Sequence, residues 1–310
     1  MKRVATAILM ALLAATAIGC GQTTASTTTL RIGTLQTDDL LPAWVAQQQG
    51  LFADAHLSVA IVTFQSAQEQ IAAVTAGQID AIMTDMVVGL QLTAAGTAMR
   101  FVTIMQNAPA GVVAAAGSGI TTPADLAGAE TGCSSPTILE YIYERALREA
   151  GVPDDQMRTA EIKKLPVRLQ MLLSNQIDAA VLPWTLFHLA TSQGAVPVVG
   201  PEQSGPYTST VLAFRAAWLK QPGAAAVLAS VLAAWDAAVG VINKDPNAQR
   251  ELLASKANLP APLDTTYPVR QYPASGLPPA QQVQDVIDWM TAKGYLTAPL
   301  SVDDVIWKGN

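Results

Sequence analysis

Side-chain catalysis needs a nucleophile, a base or a metal, and few residues here could supply one. Cysteine occurs at Cys20 and Cys133 alone, and histidine at His56 and His188 alone. A Cys133–His188 pair would need the imidazole within hydrogen-bond reach of the thiol, and nothing in the spacing brings the two together. Two isolated histidines cannot complete a three-ligand zinc site without carboxylates, and no HExxH-type spacing is present. The sequence therefore predicts no catalytic group, no metal and no cofactor, and Cys133 reads as a small packing residue in the loop that opens a helix. Binding asks for less: polar and aromatic groups where strands end and helices begin. Trp184 is the strongest such residue, because it follows an apolar run and Pro183, where an indole can face a cleft and stack on a planar or methyl-bearing ligand.

The elements that would position these groups occur twice. AGQIDAIMTD, Ala76 to Asp85, returns as SNQIDAAVLP, Ser174 to Pro183, 98 residues later. Each copy follows an apolar helical run (Ile71, Ala72, Val74; Leu169, Leu172, Leu173) and passes through Gly77 or Asn175, the residue types that most readily end a helix in the left-handed conformation. Each continues into a short apolar run without alternation, which reads as a parallel strand covered on both faces. Ligands bind beyond the carboxyl ends of such strands, which places Thr84, Asp85 and Met86 opposite Pro183, Trp184 and Thr185. Asp80 and Asp178 precede their strands and read as turn residues. LRIGTLQ (Leu30 to Gln36) and LSVAIVTF (Leu57 to Phe64) predict two further strands, separated by a helix that starts near Pro42, carries Trp44 and stops at Gly50. The pattern predicts an α/β fold of two doubly wound lobes with a ligand cleft between them.

At the amino terminus, Lys2 and Arg3 precede an apolar run, Val4 to Ile18, too short to span a bilayer stably and laid out like a secretory signal. Its end, Ala17-Ile18-Gly19-Cys20, resembles the lipobox of bacterial lipoproteins, which makes Cys20 the expected lipidation site. The polar GQTTASTTT that follows reads as a tether. No second hydrophobic run is expected to span a membrane, so the membrane contact predicted is the lipid anchor alone. The formal net charge is −6, and it becomes more negative once Lys2 and Arg3 are removed, which argues against nucleic acid as a partner. With Cys133 as the remaining thiol, stability must come from burial, for which a chain with 50% hydrophobic residues is large enough.

The segment LPAWVAQQQGLFADAHLSVAIVTFQSAQEQIAAVTAGQIDAIMTD resembles the opening of the substrate-binding proteins of ABC importers for aliphatic sulfonates, taurine, nitrate and thiamine precursors. QGLFADAHLSV, the polar loop at Gln65 to Ala67, GQID before a strand, and ITTPADLAGAETG (Ile120 to Gly132) carry the resemblance. It implies the type II periplasmic-binding fold, a small-molecule ligand, a transporter permease as partner, a monomer, and a location outside the cytoplasmic membrane. By position it also implies ligand-binding residues: Gln36, Thr37, Asp38, Asp39 and Trp44 from the first loop and helix, then Gln65, Ser66 and Asp85. The crossover and second lobe add Asn107, Ala108, Ser134, Ser135, Thr137, Pro183 and Trp184. Packing explains Trp44 as well as ligand contact does, and Asp38 and Asp39 could serve only as helix caps. Fungal thiamine-pyrimidine synthases share the fold but carry a cysteine-rich motif that is absent here, which argues against that activity.

The expected organisation is a signal peptide over 1–19, a lipidated cysteine and tether over 20–29, one lobe from 30–116 with 200–310, and the other from 117–199. Helices are expected at Thr137 to Glu149, Pro166 to Leu173, Thr185 to Thr191, Gly223 to Ile242 and Val283 to Met290, with a long surface excursion over Pro260 to Pro279. The candidate binding segments contain Asp38, Asp39, Glu69 and Asp85 but neither lysine nor arginine. A nitrogenous ligand such as a thiamine-precursor-like pyrimidine suits those carboxylates; a sulfonate, taurine or nitrate would rely on helix amino termini.

Overall fold

The computed structural model describes residues 29–107, 110–200 and 209–309. The expected signal peptide, Cys20, Ala108 and the loop before Ser209 lie outside the described residues, as does the side chain of Asn107. The first lobe runs β1 (Leu30–Leu35), α1 (Leu41–Gln48), α2 (Leu51–Asp54), β2 (Val59–Phe64), α3 (Ala67–Thr75), β3 (Ala81–Asp85), α4 (Met86–Ala94) and β4 (Met99–Asn107). The second runs β5 (Ala110–Ala114), β6 (Glu130–Cys133), α5 (Ile138–Glu149), β7 (Arg158–Glu161), α6 (Leu165–Leu173), β8 (Ala179–Pro183), α7 (Trp184–Ser192) and β9 (Val196–Val199). The chain returns through β10 (Ser209–Arg215) to α8 (Ala216–Leu219), α9 (Ala224–Lys244), α10 (Arg250–Ala257), α11 (Leu263–Thr266) and α12 (Ala280–Ala292).

Two five-stranded sheets share one plan, β2-β1-β3-β10-β4 and β7-β6-β8-β5-β9. In each, the first three strands are parallel, as expected for doubly wound lobes. In each, the fourth strand is antiparallel to its neighbours. That strand arrives from the other lobe, so it enters the sheet from the opposite end. The passage from the first lobe to the second therefore falls between Asn107 and Ala110 and not at 116/117, because β5 pairs with β8 and β9 of the second sheet.

The repeated motif builds the same brace twice. Gly77 and Asn175 both take positive φ, 71° and 54°, and each preceding helix ends in the same bond, Gln78 N to Ala73 O and Gln176 N to Met171 O. Asp80 and Asp178 do more than turn the chain. The carboxylate of Asp80 accepts the Arg31 backbone N–H at 2.9 Å and that of Asp178 accepts the Glu130 N–H at 2.8 Å, locking the strand to its parallel neighbour. Equivalent helix residues satisfy strand carbonyls: Gln70 donates to Gly33 O and Met83 O, and Arg168 donates to Ile162 O and Val181 O. Neither helix can slide without leaving those buried carbonyls unpaired.

Two expectations need correction in the returning segment. Pro260 to Pro279 is no surface excursion, since it contains α11 and buries Tyr267 and Tyr272 completely enough to join the first lobe's core. Contrary to expectation, the chain also holds a run of membrane-spanning length and apolarity, α9, the one such helix among the described residues. Its large residues Leu228, Val231, Trp235, Val239 and Ile242 recur at helical spacing and are buried, with alanines on the other side, so α9 packs as a core helix along α1.

Candidate binding site

A cleft opens between the lobes at the carboxyl ends of the parallel strands. The first lobe contributes the turn after β1, the start of α3, the end of β3, and the crossing strands β4 and β10. Thr37, Asp38, Asp39, Gln65, Ser66, Thr84, Asp85, Gln106 and Thr210 supply its polar groups. Ser66 caps α3 by accepting Glu69 N–H, and Asp85 caps α4 by accepting Val88 N–H at 3.0 Å. Asp39 accepts from the Thr37 hydroxyl.

Asp38 is buried and held from behind. Its carboxylate accepts from the Tyr267 hydroxyl at 3.0 Å and from Gln106 Nε2 at 3.4 Å, and Arg270 Nε stands 3.8 Å away. The Tyr272 hydroxyl donates to the Asp38 carbonyl at 2.6 Å. Burial, then the neighbouring charge of Asp38, pushes Asp39 up to about 6 against hydrogen bonds that favour the carboxylate. Burial also raises Asp85 to about 6, opposed by the amides it accepts from and reinforced by Asp39. The wall is thus rich in acceptors. Gln106 gives its N–H₂ to Asp38, which leaves its buried Oε1 without a partner among the described residues. A buried acceptor in that state favours a ligand that brings an N–H.

The second lobe presents Ser134, Thr137, Pro183 and Lys163 together with the apolar Ile138, Leu139 and Leu165. Thr137 caps α5, accepting Glu140 N–H and donating to the Ser134 carbonyl. Leu35 and Met83 complete an apolar band across the cleft.

Several expected residues do not reach the lining. Gln36 turns away and donates to Lys256 O. Trp44 is buried in the first lobe's core, so packing accounts for it. Ser135 gives its N–H to Glu161 and stays outside the cleft. Trp184 also lies outside the lining. Its ring stacks on Phe187 at 5.3 Å and meets His188 edge-on at 4.1 Å, while the Arg270 guanidinium lies 5.2 Å over it. His188 in turn packs edge-on against Tyr267 at 5.4 Å. The aromatic group predicted to touch ligand therefore joins the lobes behind Asp38, because α7 turns the indole toward the returning segment that carries Tyr267 and Arg270.

Lining residues outside the predicted set include Lys163, Gln106 and Thr210. Lys163 stands 98 residues after Gln65, so the internal repeat could have located it. Tyr267 and Arg270 had no such signal, being brought to Asp38 from more than two hundred residues away. Cys133 is buried and its thiol is pushed up to about 12 by desolvation, which keeps it protonated and inert. Among the described residues no cluster of three or more His, Cys, Asp or Glu side chains could hold a metal ion.

Comparisons with known proteins agree with this architecture. The model of the NMT1/THI5 like family matches residues 38–248. No curated protein matches the sequence. Among solved structures, the periplasmic aliphatic sulphonate binding protein SsuA of Escherichia coli superposes with a TM-score of 0.77 at 20% identity, over 91% of this chain and 92% of that one. The alkanesulfonate-binding protein of Xanthomonas axonopodis pv. citri, bound to MOPS, gives 0.77 at 18%, over 90% and 98%. The periplasmic nitrate-binding protein NrtA of Synechocystis PCC 6803 gives 0.71 at 15%, over 91% and 86%. At these identities the likeness establishes the fold.

Proposed function

The chain belongs to the NMT1/THI5 like family, and from that premise we propose that it is an extracytoplasmic solute-binding protein that hands a small nitrogenous molecule to an ABC importer. The observation that carries the ligand class is the first lobe's wall, where Asp38, Asp39 and Asp85 line one cleft with an unpartnered buried acceptor on Gln106. A protonated amine or an aminopyrimidine satisfies such a wall; an inorganic anion would meet three carboxylates. The function is binding without turnover, and it rests on a cleft rich in hydrogen-bonding groups whose nearby thiol is held protonated. The protein acts as a monomer held to the outer side of the membrane through lipid on Cys20. A thermal-shift screen of the tether-deleted protein against primary amines, aminopyrimidines, alkanesulfonates, taurine and nitrate tests the reading. Stabilisation by nitrogenous cations and their chemically unaltered recovery are expected; stabilisation by nitrate and alkanesulfonates alone, or recovery of a product, would overturn it.

A further inference from the structure

Asp38 has two carboxylate oxygens, and among the described residues every side-chain donor that reaches it goes to the same one. The Tyr267 hydroxyl donates to Oδ2 at 3.0 Å, Gln106 Nε2 donates to Oδ2 at 3.4 Å, and Arg270 Nε stands 3.8 Å from Oδ2. Oδ1 takes no hydrogen bond among the described residues, and Asp38 lines the cleft. A carboxylate turns easily about its last torsion, so this one-sided hold decides which oxygen a ligand meets.

Of the three donors, Tyr267 is the one fixed most firmly. It is fully buried and lies outside the cleft lining. Its N–H donates to Leu263 O at 3.0 Å, its carbonyl accepts from Arg250 Nε at 3.0 Å, and its ring meets His188 of the second lobe edge-on at 5.4 Å. Burial, then the charge of Asp38, pushes the phenol well above its ordinary value, so it stays a donor. Tyr272 holds the main chain of the same aspartate by donating to its carbonyl at 2.6 Å. Gln106, by contrast, lines the cleft itself, and Arg270 is partly exposed and stands at ion-pair rather than hydrogen-bond distance.

We propose that Tyr267 is a positioning residue for ligand recognition: its hydroxyl anchors Oδ2 of Asp38 and so presents Oδ1 to a protonated nitrogen in the cleft, without touching the ligand. This rests on the solute-binding reading and deepens it. The two ends of Tyr267 have separable effects. The hydroxyl orients a carboxylate, so its loss is felt by a cation and little by a neutral molecule of the same shape. The ring packs between the lobes against His188, so its contact is felt by every ligand alike.

Benzylamine and benzyl alcohol make the test, since they share a shape that suits the apolar band of the cleft and differ in charge. Calorimetric titration gives their affinity ratio in the wild type, Tyr267→Phe, Asp38→Asn and the double variant. Tyr267→Phe keeps the ring and is expected to weaken benzylamine about tenfold and benzyl alcohol less than about twofold. In the Asp38→Asn background it is expected to change the ratio no further, because its effect runs through that carboxylate. His188→Ala is expected to weaken both probes by a similar factor. A second measurement needs no variant: in the wild type the Tyr267 hydroxyl proton should shift in NMR spectra on adding benzylamine and stay in place with benzyl alcohol. Equal losses of the two probes in Tyr267→Phe, additive effects in the double variant, a ratio lowered as far by His188→Ala, or a hydroxyl resonance indifferent to benzylamine would each overturn this inference and leave the nitrogenous-solute reading in place. A wild type that fails to bind benzylamine would overturn the inference, and one that binds nitrate or propanesulfonate instead would overturn both.

Discussion

Asp39 is buried beside another carboxylate at the edge of a cleft, and its raised pKa, from 3.8 to about 6, gives a sign that can be worked through. Between those values the unfolded chain has released the proton and the folded chain still holds it, so Asp39's contribution to stability falls as pH rises through that window and is flat above it. Asp39→Asn should therefore match the wild type near pH 4 and be more stable at pH 7, by about 1–3 kcal/mol. Urea unfolding across that range checks it, and equal stability at pH 7 would contradict it. Binding of a cation runs the other way, since the ligand needs ionised Asp39 and Asp85. Affinity for an amine should fall about tenfold or more between pH 7 and pH 5, which calorimetric titration at the two pH values measures. Trp184 belongs to a different category of residue. Because it joins the lobes and lies outside the cleft lining, Trp184→Ala should weaken every ligand by a similar factor and leave their ranking unchanged. A change confined to aromatic ligands would restore it as a stacking group.

α5 shows how one element serves two ends. Its start supplies Thr137, Ile138 and Leu139 to the cleft, while Glu140 in the first turn and Glu144 one turn on reach across to α12 and to Lys293 and Tyr295 beyond it. There the Tyr295 hydroxyl donates to Glu140 at 2.8 Å, and Trp289 Nε1 and Lys293 Nζ donate to Glu144 at 2.9 and 2.5 Å. α12 packs on α4 of the first lobe, so this network is a link between lobes additional to the crossing strands. Lys293→Ala leaves two buried glutamates with fewer partners and should cost about 1–3 kcal/mol in urea unfolding; no change would show the network to be dispensable. Much of this framework was readable in the chain. The QID repeat located the two equivalent strands, their left-handed turns and the strand ends that form the cleft, because local chemistry at Gly77, Asn175, Asp80 and Asp178 decides those features. The antiparallel strand of each sheet was not readable, because β5 and β10 look locally like any apolar strand and their direction depends on which lobe they leave. Trp184 was misplaced for a similar reason. Its orientation is set by Tyr267 and Arg270, far along the chain, and no local pattern announces them.

As a whole molecule, the protein is two lobes built on one plan, facing each other across a cleft and tied by two crossing strands and a C-terminal helix. Delivery to a transporter requires the cleft to open and close, and small-angle scattering should record compaction when ligand binds; a radius of gyration unchanged at saturation would argue for a rigid pocket. At the membrane, mass spectrometry of the native protein should find Cys20 acylated and at the amino terminus, and an unmodified chain starting elsewhere would remove the anchor from the account. The central claim is that the first lobe's carboxylates recognise a protonated nitrogen. Its most direct test is the affinity at pH 7 of the most stabilising amine from the screen, compared between wild type and Asp85→Asn. The account predicts a loss of at least tenfold with the fold intact by circular dichroism; an unchanged affinity for the amine would contradict it.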